Sequence, residues 1–220
     1  DIQFISIQNG TRLKYWFKNK IFEKYRDLTC DHIFVYNKYL IRKYEAIIKS
    51  NYHILGSFKN NIVKINKNKI HNQFLYISGY GKNQEKELYN FHKKLLGLLN
   101  LYFSRSRKKI HILIRNKNLS KQKDEIDFYK KIFNSNCILH KSREWDDSYK
   151  ILDKFRNIIF THSTLGYEAI ARKKKVAIFS HKKHKNFEYY FGWPAPYNSM
   201  YNFFSAKNLK FNEVKRVLDN

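Results

Sequence analysis

The sequence predicts an α/β protein made of two Rossmann-like units with parallel sheets, the N-terminal one incomplete. Three observations carry that expectation. Short apolar runs alternate with amphipathic stretches over nearly the whole length, as parallel strands and their covering helices do. Strand runs end in Gly turns at Gln8-Asn9-Gly10, Gly56-Ser57 and Gly79-Tyr80-Gly81. Near the C-terminus a strand, the run Thr161-His162-Ser163-Thr164-Leu165-Gly166, a helix and a further strand follow in that order.

In chain order, Ile2 to Ile7 reads as a strand and Leu13 to Lys24 as an amphipathic helix or irregular basic segment. His32 to Tyr36 is a β-branched and aromatic strand, Lys38 to Lys49 a helix, and Tyr52 to Leu55 a strand running into the loop Gly56 to Asn61. Residues 62–72 show neither period and are expected to link residues 1–61 to residues 73–220. The second unit alternates strand and helix. Its strands are Phe74 to Ser78, Lys109 to Ile114, Asn136 to Leu139, Arg156 to Thr161 and Lys175 to Ser180. Its helices are Glu85 to Phe103, Lys123 to Phe133, Asp146 to Lys154, Ser163 to Arg172 and a C-terminal one near Phe211 to Leu218. A chain that opens on Asp1 and enters a strand at once is expected to continue from earlier sequence.

With 220 residues, 43% hydrophobic and 17% aromatic, the chain can bury one large core or two small ones. Forty-four Lys and Arg against 18 Asp and Glu give +26, which draws a protein toward polyanions, anionic membrane surfaces among them. Lys is mixed throughout with Asn, Ile, Tyr and Phe, the usage of an AT-rich genome, so the charge alone identifies no partner. No nucleic-acid motif accompanies it, and no specific nucleic acid is expected. Cys30 and Cys137 stand alone, which argues against a disulfide framework or zinc site and for a reducing cytoplasm. No apolar run approaches the roughly 20 residues needed to span a bilayer.

The chemistry concentrates at residues 161–168. A strand that runs through Thr161-His162-Ser163-Thr164 into a helix sets two hydroxyls and free backbone N–H groups at a helix N-terminus, which binds phosphate. Ser163 or Thr164 can cap the helix, and Gly166 would clear the first turn for a ligand. The plainer alternative makes Ser163 a helix cap and Glu168 a solvated acid. Arg115 ends a strand at its carboxyl side, where ligands collect in open α/β sheets, and can neutralise a phosphate or a sugar carboxylate. Asn9, Gly10, Ser57, Asn60, Gly79, Tyr80 and His162 are candidates for lining a cleft. Asp146-Asp147 opens a helix rather than ending a strand, so no metal site is expected there. His181 to Lys185 reads as a solvated charge run, and Tyr189-Tyr190-Phe191 with Trp193 as core or interface.

The stretch Asp147 to Ser180 resembles the C-terminal domain of GT-B glycosyltransferases of bacterial surface carbohydrate biosynthesis, and more distantly the capsule enzymes that use CMP-Kdo. In that group an S-T-x-G-x-E-A segment opens the helix facing the donor nucleotide. Here Ser163, Thr164, Gly166, Glu168 and Ala169 fill it. Asp31 to Asn61 resembles the end of the N-terminal domain, and Phe191-Gly192-Trp193-Pro194 the aromatic segment after the last donor-domain strand. The resemblance implies an acceptor-side unit at residues 1–61 and a donor-binding unit at residues 73–220. It implies donor phosphate on Ser163 and Thr164, ribose or orientation of the nucleotide on Glu168, and clearance at Gly166; Leu165 and Arg115 stand beside them as phosphate-binding candidates. It assigns no catalytic residue.

The function expected is transfer of a sugar from a nucleotide donor, CMP-Kdo or a similar acidic sugar, to a surface glycan or lipid-linked acceptor. Neither cofactor nor metal is required, and the expected place is the cytoplasm or the inner face of the membrane. A nucleotide-sugar epimerase or polyol-phosphate transferase on the same fold is the alternative, followed by a basic module that binds RNA or membrane.

Overall fold

The computed structural model describes residues 2–8, 28–66, 70–81, 86–161, 163–179 and 209–219. They form two compact units, one running to Lys64 and the other beginning at Ile65. The segment Leu13 to Lys24, expected as an amphipathic helix or an irregular basic stretch, the run His181 to Lys185 and the segment Phe191 to Pro194 lie outside the described residues.

In the first unit, β1 (Ile5–Ile7), β2 (Thr29–Val35) and β3 (Lys49–Ile54) form a parallel sheet in the order β1-β2-β3. Ile33 and Val35 of β2 pack with Leu40 and Tyr44 of α1 (Lys38–Tyr44) in a small core. The helix stops at Tyr44, short of the expected Lys49. The N–H groups of Ile47 and Ile48 both turn back to the Tyr44 carbonyl, and Lys49 already pairs with β2. After β3, Gly56 takes φ +74°, and a short helix follows, α2 (Phe58–Ile62), where only a loop was expected.

The second unit opens with β4 (His71–Ile77), which starts inside the stretch expected to be linker. Then come α3 (Lys86–Arg105), β5 (Ile110–Ile114), α4 (Leu119–Phe133), β6 (Cys137–Lys141), α5 (Asp147–Asp153), β7 (Phe155–Phe160), α6 (Thr164–Ala171), β8 (Lys175–Ile178) and α7 (Phe211–Asp219). The sheet order is β6-β5-β4-β7-β8, and each pairing is parallel. The chain therefore starts in the middle, steps outward to β6, returns and steps out on the other side. The reversal lies between β4 and β7, the place where open α/β sheets take ligands at their carboxyl ends.

Helices cover both faces. Tyr76, Ile110, Ile112, Ile114 and Ile159 meet Leu95, Leu96, Leu99 and Phe103 of α3, Tyr129 and Phe133 of α4, and Val214, Val217 and Leu218 of α7. The opposite face carries α5 and α6, which bury Tyr149, Leu152, Leu165 and Ala169. A buried ion pair ties the ends of these two helices, with Arg172 Nε 2.8 Å from Asp153 Oδ1 and Nη2 2.5 Å from Oδ2. Lys174 Nζ and the Asn66 N–H also donate to Asp153. Opposite charges removed from water hold only when so fully bonded. Among the described residues, no helix is long and apolar enough to cross a membrane.

Candidate functional site

The site is built on the last residues of three strands. At the end of β7 the chain leaves the sheet at Thr161, and Ser163 becomes the N-cap of α6 with extended backbone angles. A serine there ordinarily accepts a bond from its own helix. Ser163 does not. Its Oγ accepts from Arg115 Nη1 at 3.0 Å, and its side chain makes no cap bond. The N–H groups of Gly166 and Tyr167 return to the Ser163 carbonyl. Those of Thr164 and Leu165 meet no acceptor among the described residues. A helix start in that condition takes its acceptors from solvent or a ligand, and its dipole favours an anion.

Gly166 has a different task from the one expected. A Cβ there would lie 2.3–2.5 Å from ring carbons of Phe160, so the missing side chain lets α6 press onto β7 rather than clearing room for a ligand. Leu165 is a core side chain, and only its backbone can serve the site. Glu168 is no solvated acid: it is 7% exposed, and its Oε2 accepts from the Tyr149 hydroxyl at 2.8 Å.

Arg115 arrives from β5. Strands β5 and β7 flank β4, so its side chain reaches across the end of β4, a span of roughly 10 Å between outer strands. Water touches Arg115, yet protein crowds its guanidinium. That crowding lowers its pKa from the ordinary value, against the pull of Glu125 and Glu168. An arginine that water still reaches keeps its charge. Its backbone is clamped as well. Glu125, fully buried on α4, accepts from the N–H of Arg115 (3.2 Å) and from the N–H and side-chain amide of Asn116 (3.0 and 2.6 Å). Gln122 donates to the Asn116 carbonyl at 2.8 Å.

The end of β4 completes the arrangement. A Cβ on Gly79 would stand 2.8 Å from Thr161 Oγ1 and 3.1 Å from His92 Cε1, so only glycine lets this turn lie against the end of β7. Below it, His92 Nε2 is 3.1 Å from Thr161 Oγ1, and the Tyr129 hydroxyl donates to Ser78 Oγ, which also accepts the Tyr80 N–H. Burial raises the Tyr76 and Tyr129 phenols well above their usual values, so both keep their protons. The Tyr80 ring packs on Phe128.

Thus Arg115, Ser163, Thr164, Leu165, Gly79 and Tyr80 come from adjacent strand ends of one sheet. Ser57 and Asn60 belong to the first unit, where Ser57 Oγ caps α2 by accepting the Asn60 N–H. Asn9, Gly10 and His162 lie outside the described residues. Asp146 is the N-cap residue of α5, and Asp147 accepts the N–H groups of Arg143 and Glu144, an ordinary turn. Glu125, Asn116, His92 and Tyr149 went unread in the sequence. For Glu125 a signal was present: Gln122 and Glu125 share one helix face just after a strand that ends in Arg115.

Two parallel sheets, with the donors gathered at the switch point of the second, define the class: the fold is that of the GT-B glycosyltransferases. The chain belongs to the family described as "putative O-antigen biosynthesis protein", whose model matches residues 5–220. No curated protein matches it in sequence. Among solved structures it is similar to a point mutant of TarM from S. aureus in complex with Fondaparinux, alpha-GlcNAc-glycerol and UDP, at TM-score 0.53 and 15% identity over 99% of this chain and 44% of that one. A second TarM structure matches at TM-score 0.48 and 17% identity over 92% of this chain and 38% of that one. The chain therefore spans less than half the length of TarM.

Proposed function

We propose that this chain is the donor-binding portion of a glycosyltransferase that moves a sugar from a nucleotide-activated donor to a bacterial surface glycan. The observation that carries the reading is the Arg115 to Ser163 hydrogen bond, which sets a cation beside a helix end whose first N–H groups meet no acceptor among the described residues. During transfer an acceptor hydroxyl oxygen bonds to the anomeric carbon and releases its proton to water, while the bond from that carbon to the donor phosphate breaks and its electron pair leaves with the phosphate, where negative charge grows. Arg115, the Ser163 hydroxyl and the start of α6 meet the charge there, without a resident cofactor or metal. Residues 73–220 hold the donor and residues 1–61 belong to the acceptor side. A lipid-linked acceptor and the excess of Lys and Arg fit work at an anionic membrane surface, each basic residue near it contributing about 1 kcal/mol. An acidic sugar of the CMP-Kdo kind suits Arg115, and the UDP in the TarM complex supports testing uridine donors beside it.

The test is calorimetric titration with CMP, UDP and CDP and their sugar conjugates, followed by donor-hydrolysis assays. One nucleotide should bind, and Ser163→Ala combined with Thr164→Ala should weaken it tenfold or more while the melt changes little. Unchanged affinity in the double variant refutes the reading.

A further inference from the structure

The carboxylate of Glu125 is 0% exposed and accepts three N–H bonds, all from Arg115 and Asn116. Burying a carboxylate is costly, and a neutral glutamine cannot replace it, because both of its oxygens face donors. Gln122, one helical turn earlier on α4, holds the carbonyl of the same Asn116. Two residues on one face of α4 therefore hold both the N–H and the carbonyl of one residue, Asn116, directly after β5. Asn118 then caps α4 by accepting the Lys121 N–H at 3.2 Å, so the whole connection is fixed. What this grip places is the Cα of Arg115, and hence the reach of its guanidinium to Ser163 Oγ. Glu125 also stands near enough to favour the cationic form of Arg115.

We propose that Glu125, with Gln122 as its partner, is the positioning residue of the anion site: it touches no ligand and acts through Arg115. The inference rests on the donor-site reading above and adds to it which residue sets the geometry. A ligand's phosphate group would feel the loss of Glu125, and its nucleoside part would not.

The experiment is a double-mutant cycle read by titration with UDP and CMP, and with uridine and cytidine as phosphate-free probes, well below each variant's melt. Glu125→Gln should weaken nucleotide binding about tenfold, leave nucleoside binding unchanged, and add nothing to Arg115→Ala in the double variant. A core truncation, Leu96→Ala, should lower the melting temperature without changing the ratio of nucleotide to nucleoside affinity. If Glu125→Gln does not fold, Gln122→Met opens the same grip from its other side and must show the same non-additivity. Additive effects, or wild-type nucleotide affinity in Glu125→Gln or its substitute, overturn the positioning role alone. Wild-type affinity in Arg115→Ala, or no nucleotide binding by the wild type, overturns the donor site and this inference with it.

Discussion

Four helix starts in this chain can be compared directly. Asn37 accepts the Leu40 N–H at the start of α1, Ser57 accepts the Asn60 N–H at α2, and Asn118 accepts the Lys121 N–H at α4. At α6, Ser163 occupies the same position with the same extended backbone, yet its oxygen is engaged by an arginine from another strand. The first three ends are closed on themselves. At the fourth, the N–H groups of Thr164 and Leu165 meet no acceptor among the described residues, and a cation stands beside them. A cap residue is thus identified by its partner, not by its type.

The largest effect that should break or uphold this comparison is on binding. Arg115→Ala should cost roughly 1.5–3 kcal/mol of nucleotide affinity, a tenfold to hundredfold loss by calorimetry, with little change in the melt because water reaches the residue and its side chain makes a single hydrogen bond, to Ser163, among the described residues. Equal binding would place α6 among the closed ends.

The amino end of the same sheet offers the contrast in charge. His111 on β5 is 7% exposed, its Nδ1 is 2.8 Å from His140 Nε2, and its Nε2 has no partner among the described residues. Burial, then His140 and His71, push its pKa down to about 4. The folded protein therefore binds this proton less readily than the unfolded chain. Its contribution is fully present above about pH 6.5 and is lost as pH falls toward 4, at most about 3 kcal/mol. Denaturant unfolding from pH 7.5 to 4 should show that limb, and His111→Phe should flatten it. An unchanged slope would mean that His111 charges freely.

Two smaller effects concern the helices themselves. Gly166→Ala should destabilise by about 1–3 kcal/mol through the Phe160 ring, whereas Gly97→Ala, with nothing within 4 Å of the added Cβ, should stabilise by about 0.5–1 kcal/mol in chemical denaturation. The smallest difference is the sharpest. Asn37→Ala, at the closed start of α1, should cost about 1 kcal/mol of stability and leave nucleotide affinity intact, while Ser163→Ala should do the reverse. Matching effects from the two would erase the distinction between closed and open starts.

The element order of the second unit was legible because its central strands are largely buried and so read as apolar runs, Ile110 to Ile114 most plainly. Boundaries were less so. Helix α4 begins at Leu119, four residues before the expected start, although Asn118 is a cap residue by type. The stop of α1 at Tyr44 depends on strand pairing that no local pattern reveals. At the site, Ser163 and Arg115 could each be singled out, one from its motif and one from its place after a strand. Their meeting could not, because they lie 48 residues apart and meet through the sheet order. Gly166 was read as room for a ligand because sequence shows a missing side chain and not what fills its place. Glu168 was read without Tyr149, nineteen residues away, for the same reason.

The close contact of Gly79 with Thr161 and His92 has a kinetic consequence. Because no side chain separates the end of β4 from the end of β7, the floor of the site is set when the sheet folds and needs little ordering when a ligand arrives. Loss of conformational entropy on association is then small. Related nucleotides should reach this floor at similar rates and differ chiefly in how long they stay, so selectivity among donors would be expressed in residence time.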